Sequence, residues 1–190
     1  MRSEIILIGP LWAGKSTIAE ELSRSLGLPR ASLDDTSWRY YEEVGFDRAV
    51  GSELERTGDH LGLFRYVRPF LPHAVERHLE DHPGCVIDFG AIHSIHDDPR
   101  ALERVKRALA PYRNVILLLP SPDLEQSAAV LQERAAGDVW LAKIREENGF
   151  DLNEQYLHHP ANRQLARCVV YTAGKTPKQT CEEILRRVER

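Results

Sequence analysis

The residues with the clearest chemical meaning are Gly9-Pro10-Leu11-Trp12-Ala13-Gly14-Lys15-Ser16, followed by Thr17. Glycines at this spacing let a loop turn its backbone N–H groups inward onto the oxygens of a polyphosphate. Lys15 would then reach the β- and γ-phosphates, and the Ser16 hydroxyl is a hard oxygen ligand suited to the Mg²⁺ that accompanies a nucleotide. The pattern has this meaning only between a strand and a helix. Ile5-Ile6-Leu7-Ile8 supplies a buried strand before it, and Ile18, Leu22 and Leu26 supply a helical apolar stripe after it. The helix would add its positive N-terminal end to the anion site. Nucleotide binding is the expectation.

Other groups complete a chemical set. Cys85-Val86-Ile87-Asp88 has the form of a Walker B strand, with a terminal carboxylate that can hold the Mg²⁺ shell through water. Asp34-Asp35 suits a metal or an accepting hydroxyl, although an Asp pair before a helix is also an ordinary N-cap. Arg65, Arg68 and Arg163 suggest a second anion, a carboxylate or phosphate, since the loop already serves the nucleotide; singly, each would more commonly be a surface ion pair. His93-Ser94-Ile95-His96-Asp97-Asp98 is metal-like in composition but lacks cysteines and a second paired ligand, so it reads as a solvated loop capping the next helix. Its position after a strand still puts His93 near an acceptor pocket, where it could hydrogen-bond a substrate. Trp12 would shield the nucleotide or pack on a lid, and Trp38, Tyr40 and Tyr41 would line the pocket or pack a helix. His158-His159 carries no assignment.

Positioning these groups requires an alternating α/β chain. Apolar runs at Cys85–Ile87, Val115–Leu119 and Cys168–Tyr171 are continuous rather than alternating, as in strands buried on both faces, and a weaker strand is expected over Arg30–Leu33. With the first strand they imply five strands in a mainly parallel sheet, with helices on both faces in three layers. Asp98-Pro99, Ser121-Pro122 and Thr176-Pro177 mark helix starts, the last with a capping box to Gln179. In such sheets ligands bind beyond the carboxyl ends of the strands, where all of these polar groups fall.

The chain of 190 residues is expected to form a single domain over 1–190, with no apolar run long enough for a membrane span. Its net charge of −4 argues against a nucleic-acid partner. Cys85, Cys168 and Cys181 read as buried reduced thiols, and with no targeting signal at the N-terminus a cytoplasmic location is expected.

On these residues the chain resembles the shikimate kinase family, within the nucleoside monophosphate kinase-like group of P-loop phosphotransferases. The resemblance runs from Ile5–Leu26 through Ser32–Asp35 and Arg68–Gly90 to His159–Arg163, Ala173–Pro177 and the last helix. It implies ATP and Mg²⁺ as cofactors, held by Gly9, Leu11, Trp12, Ala13, Gly14, Lys15, Ser16 and Thr17, with Asp34 beside the metal. Arg68 and Arg163 would be the substrate-carboxylate arginines, Asp34 or Asp35 would address the accepting hydroxyl, and Gly90 would lie against the substrate. Arg134 would stack on adenine opposite Lys175 and Pro177, and Arg145, in a mobile lid over roughly 135–158, would reach the transferring phosphoryl group. Two departures fall on the acceptor side. The family's Asp-x-Asp is Asp34-Asp35-Thr36 here, and its Gly-Gly-Gly run is Phe89-Gly90-Ala91. The segments Trp38–Gly62 and Ala135–His158 also look longer than their counterparts.

The expected activity is transfer of the γ-phosphoryl group of ATP to a hydroxyl of a small anionic metabolite other than shikimate. The alternatives are a nucleoside or nucleotide kinase, and a nucleotide-sensing module without an acceptor.

Overall fold

The computed structural model describes residues 2–149 and 151–188. Met1, Phe150, Glu189 and Arg190, which belong to the expected 1–190 domain and in the case of Phe150 to the expected lid, lie outside the described residues. The strands are β1 (Arg2–Ile8), β2 (Arg30–Ser32), β3 (Val86–Asp88), β4 (Tyr112–Leu119) and β5 (Cys168–Tyr171). They form one parallel sheet in the order β2-β3-β1-β4-β5. Continuous apolar runs become strands covered on both faces: Ile6, Leu7, Ile8, Val86, Ile87, Val115, Ile116 and Leu118 are fully buried.

The helices are α1 (Lys15–Leu26), α2 (Leu33–Glu42), α3 (Arg48–Thr57), α4 (His60–Val67), α5 (Leu71–Asp81), α6 (Pro99–Leu109), α7 (Leu124–Arg134), α8 (Val139–Asn148), α9 (Leu152–His158), α10 (Pro160–Leu165) and α11 (Pro177–Arg187). Tight 3-10 turns at Arg68–Phe70 and Ala91–Ser94 precede α5 and follow β3. Helix α1 packs with α11, and α5 packs between α2 and α6. The long segment between β2 and β3 is therefore helical, with Trp38, Tyr41, Phe46, Tyr66 and Phe70 joined in one aromatic cluster that fastens α2 to α4.

Several local expectations need correction. The second strand stops at Ser32, and Asp34 and Asp35 lie in the first turn of α2 rather than ahead of it; the N-cap is Ser32. Two carboxylates there face the positive end of the helix dipole. Ser121-Pro122 does not open a helix; Asp123 caps α7 by accepting from Gln126 N, and Ser121 instead hydrogen-bonds Gln126 and Ser127. Asp98 and Thr176 cap α6 and α11 as the sequence indicates, the latter with the Gln179 capping box. Cys85 and Cys181 are buried free thiols, and Cys168 is half-buried. Among the described residues, no helix is long and apolar enough to cross a membrane.

The sheet register sets the site. Leu7, Asp88 and Ser32 stand side by side across β1, β3 and β2, one residue short of the phosphate loop. Ile8 pairs with Leu117 on the other side. The carboxyl ends of the three strands thus deliver Asp88, the start of α2 and the loop to one place, where the strand order reverses direction around β1.

Candidate active site

The phosphate loop leaves β1 through Gly9, whose φ of 141° belongs to glycine and whose absent Cβ would stand 2.5 Å from the Leu118 carbonyl oxygen. Any larger residue would push the loop off β4. Gly14 also takes a positive φ, 95°, to start α1. Lys15 is 8% exposed, and its Nζ donates to the carbonyls of Gly9 at 3.0 Å and Pro10 at 2.8 Å, so the ammonium sits inside the loop. Burial pulls its pKa down to about 8, against the opposing pull of the Asp34 and Asp88 charges. A buried cation ringed by loop backbone, with a glycine-only approach to β4, fits a polyphosphate.

Ser16 Oγ donates to Asp88 Oδ2 at 3.0 Å, which leaves the hydroxyl lone pairs for a hard cation. Asp88 is 2% exposed and does not face an open ligand position. Arg30 grips it bidentately, Nε to Oδ1 at 2.8 Å and Nη2 to Oδ2 at 3.0 Å, and Ser32 Oγ adds 3.3 Å. Arg30 was not anticipated from the sequence. Its only signal is a cation at the first position of β2, whose β3 neighbour ends on a carboxylate. With both oxygens hydrogen-bonded, Asp88 anchors Ser16.

Asp34 faces the loop from the first turn of α2. Its side chain keeps 64% of its surface accessible because it opens into the cleft, yet the crowded walls raise its pKa, chiefly by desolvation, with Lys15 pulling down and Asp88 and Asp35 pushing up. Gly90 lies directly against it: a Cβ there would stand 2.5 Å from Asp34 Cγ and closer still to Oδ1. Asp35 is exposed and adds its charge to the surroundings of Arg30.

Beyond Gly90 the chain floors a second cleft of about 580 Å³ with Ile92 and Ile95. Arg65, Arg68, Asp97, Tyr156, His158 and His159 line it. Asp97 ties Arg68 and His159 together, accepting from Arg68 Nη1 and, at 3.0 Å, from His159 Nε2, while His159 Nδ1 accepts from the Ala161 N–H at the start of α10. The His159 hydrogen bond first, and then the Arg68 charge, hold the Asp97 carboxyl below its usual range. Gly90, which abuts Asp34, leads directly into the turn that carries Ile92 into the wall of this cleft, so the basic cleft and the Asp34 carboxylate are neighbours. Arg163 is exposed on α10 and is not among the residues lining this cleft, whereas His158 and His159, which carry no assignment from the sequence, are.

The histidine-rich segment is not a solvated loop. His93 and His96 are 1% and 6% exposed, and burial lowers their pKa values to about 3 and about 4, keeping both neutral. The alternation of Ile92 and Ile95 with the histidines was the available signal. Among the described residues, no group of three or more His, Cys, Asp or Glu is placed to hold a metal.

The segment 135–158 forms α8 and α9, and it engages the phosphate loop directly. Trp12 Nε1 donates to Asp138 Oδ2 at 2.9 Å, and Asn153 Nδ2 donates to the Leu11 carbonyl at 3.0 Å. Leu11, Phe64, Ile92, Leu141, Ile144, Leu152 and Tyr156 close around one apolar cluster separate from the main core. Trp12 holds a φ of 60°, a conformation that costs an L-residue on the order of 1–2 kcal/mol. Arg134 Nη1 reaches the Trp12 carbonyl and Thr172 Oγ1, both at 3.2 Å, linking the loop to the turn that leads to Lys175 and Pro177. Lys175 Nζ is paired with Glu183 at 2.6 Å, and Pro177 opens α11. Arg145 is ion-paired with Asp151 and lines a cavity of about 380 Å³ between α7, α8 and α9 that includes no phosphate-loop residue. Reaching a phosphoryl group would require it to leave Asp151.

No family model matches the chain, and no curated protein is significantly similar in sequence. Solved structures do match. A shikimate kinase from Acinetobacter baumannii, determined in complex with shikimate, aligns with a TM-score of 0.58 at 20% identity, covering 98% of this chain and 92% of that one. The fold is that of the shikimate kinases. A gluconokinase from Sinorhizobium meliloti shares it, with a TM-score of 0.51 at 14% identity and the same coverages of 98% and 92%. Identities this low fix the shikimate kinase fold and leave activity and acceptor to the chemistry of the site.

Proposed function

We propose that this chain is an ATP- and Mg²⁺-dependent kinase that transfers the γ-phosphoryl group to a hydroxyl of a small anionic metabolite. The observation that carries the reading is the pairing of Lys15 with Asp34 across the carboxyl ends of the strands. Ser16, next to Lys15, and Ser32, the N-cap of α2, both donate to Asp88 Oδ2, which sets a cation for the donor phosphates and a carboxylate for an acceptor at the ends of the same strands. A module that only sensed nucleotide would need neither Asp34 nor the basic cleft beyond it.

Lys15 and the loop amides would hold the β- and γ-phosphates, and Thr17 and the end of α1 would extend that cradle. Mg²⁺, when bound, would neutralise charge on the β- and γ-oxygens. Ser16 would supply its direct protein oxygen, with Asp34 beside it and Asp88 fixing Ser16. Asp34 would hold the accepting hydroxyl in line and take its proton, and the burial that raises its pKa makes it a stronger base than an ordinary carboxylate. Arg134, Lys175 and Pro177 would border the adenine. Arg65 and Arg68, with His158 beside them, would hold the acceptor's anionic group, and the two guanidiniums favour such a metabolite over a nucleoside. Helices α8 and α9 would exclude water from the transfer.

The test is phosphorylation of a panel of cyclitols, sugar acids, polyols, nucleosides and nucleotides, with ADP and product mass both measured. One anionic hydroxy compound should be turned over by the wild type, and Lys15→Ala should abolish the reaction. Preference for a nucleoside or nucleotide would replace this reading by the alternative kinase class.

A further inference from the structure

His93 is buried, neutral and unexplained by the phosphate chemistry. Its Nε2 lies 2.7 Å from the Tyr41 hydroxyl, and the two rings stack at 24°. Its Nδ1 is buried without a hydrogen-bond partner and lies 3.6 Å from Asp34 Oδ1. Besides that carboxylate, the Gly90 carbonyl is the other acceptor near the ring, and neither is hydrogen-bonded to Nδ1. Tyr41, itself 3% exposed, is rooted in α2 about two turns along the same face from Asp34, and the His93 backbone N–H donates to the Gly90 carbonyl, so both ends of the contact are fixed.

We infer that His93 is a positioning residue for Asp34: Tyr41 donates its O–H to Nε2, which leaves the proton on Nδ1, and that N–H orients Oδ1 while Oδ2 stays free for the acceptor hydroxyl. This rests on the reading of Asp34 as the acceptor carboxylate. A neutral imidazole has one donor and one acceptor nitrogen, so the Tyr41 bond selects the tautomer and the tautomer selects what Asp34 meets. The 3.6 Å separation is longer than a hydrogen bond and closes by a small rotation of Asp34, which Gly90 leaves room for. Such contacts commonly tighten only when substrate is bound. Lys15 pulls on the same carboxylate from the loop, and with two opposed partners Asp34 has one productive setting rather than a range of rotamers.

Two measurements decide it. The ring ¹⁵N shifts of His93 in the wild-type protein should report protonated Nδ1 and bare Nε2; a proton on Nε2 overturns the inference, because His93 would then have nothing to give Asp34. In turnover, His93→Leu should lower kcat by about 10- to 100-fold, the usual loss when an orienting partner is removed, with the KM for ATP unchanged. His93→Asn, whose amide N–H can stand where Nδ1–H stood, should recover most of that loss. Wild-type kcat in the leucine variant, or equal loss in both variants with folded spectra, overturns it as well. If the wild type phosphorylates nothing, the kinase reading fails separately, and the tautomer still settles the placement of His93.

Discussion

Gly90→Ala separates catalysis from stability in one substitution. The backbone at Gly90, with φ −59° and ψ 148°, is open to any residue, so the change introduces no backbone strain. Alanine there should even stabilise the chain by about 0.4–1 kcal/mol through the unfolded state, which for this size corresponds to a Tm rise of about 1–4 °C. The new methyl, however, would stand 2.5 Å from Asp34 Cγ and nearer still to Oδ1, and ordinary contact begins at 3.4 Å, so the carboxylate must retreat by at least about 1 Å. Asp34 is the end of an accessible side chain and can move at little cost to the fold. Misplacement by about 1 Å is enough to cost on the order of 100-fold in rate. The expected result is therefore a protein of equal or higher Tm whose kcat with the cognate acceptor falls about 100-fold while ATP binding is retained. Coupled ADP release and scanning calorimetry measure both. Wild-type kcat in Gly90→Ala would refute the assignment of Asp34 to the acceptor, and a large loss of Tm would refute the claim that Asp34 yields.

Further outcomes follow from the same geometry. Arg30→Ala leaves the Asp88 carboxylate at 2% exposure with only serine donors, and thermal unfolding should show a loss of about 3 kcal/mol, or a Tm drop of about 6–12 °C; Asp88→Asn in the same chain should recover part of it. Arg68→Ala should raise the acceptor KM by roughly tenfold or more without changing the KM for ATP, whereas Arg163→Ala should change neither in steady-state assays. Stability should fall on acidification: His78, His93 and His96 are held neutral by burial, with pKa values of about 4, about 3 and about 4, while the unfolded chain takes up protons near 6.5. Their contribution is complete above pH 6.5 and is lost as pH falls toward 4, each adding up to about 1.4 kcal/mol per pH unit to the slope of an unfolding series.

The donor half was legible because its signals are local. Gly9 to Ser16, the strand before them and the stripe after them are contiguous in sequence, and a buried parallel strand announces itself as the unbroken apolar run Val115–Leu119, although the similar run Cys168–Tyr171 is a half-buried edge strand. The acceptor half is assembled from distant segments. Arg30 and Asp88 meet only through the β2–β3 register, and Asp97 joins Arg68 to His159 across three elements, so no spacing in the chain encodes either contact. The resemblance implies a substrate role for Arg163, and which way it points from α10 is not legible because the face of a six-residue helix is not visible in a sequence. The polar histidine segment was misjudged for a related reason: His93 is buried because Tyr41 provides a partner 52 positions away.

The central claim is that the cleft shared by Lys15 and Asp34 joins a nucleotide donor to a small anionic hydroxy acceptor. A metabolite screen with ATP and Mg²⁺, following ADP release and product mass together, tests it most directly. The account predicts one such compound that stimulates ADP release and gains the mass of a single phosphoryl group, with no reaction in Lys15→Ala. ADP release that no acceptor raises above basal hydrolysis would contradict it.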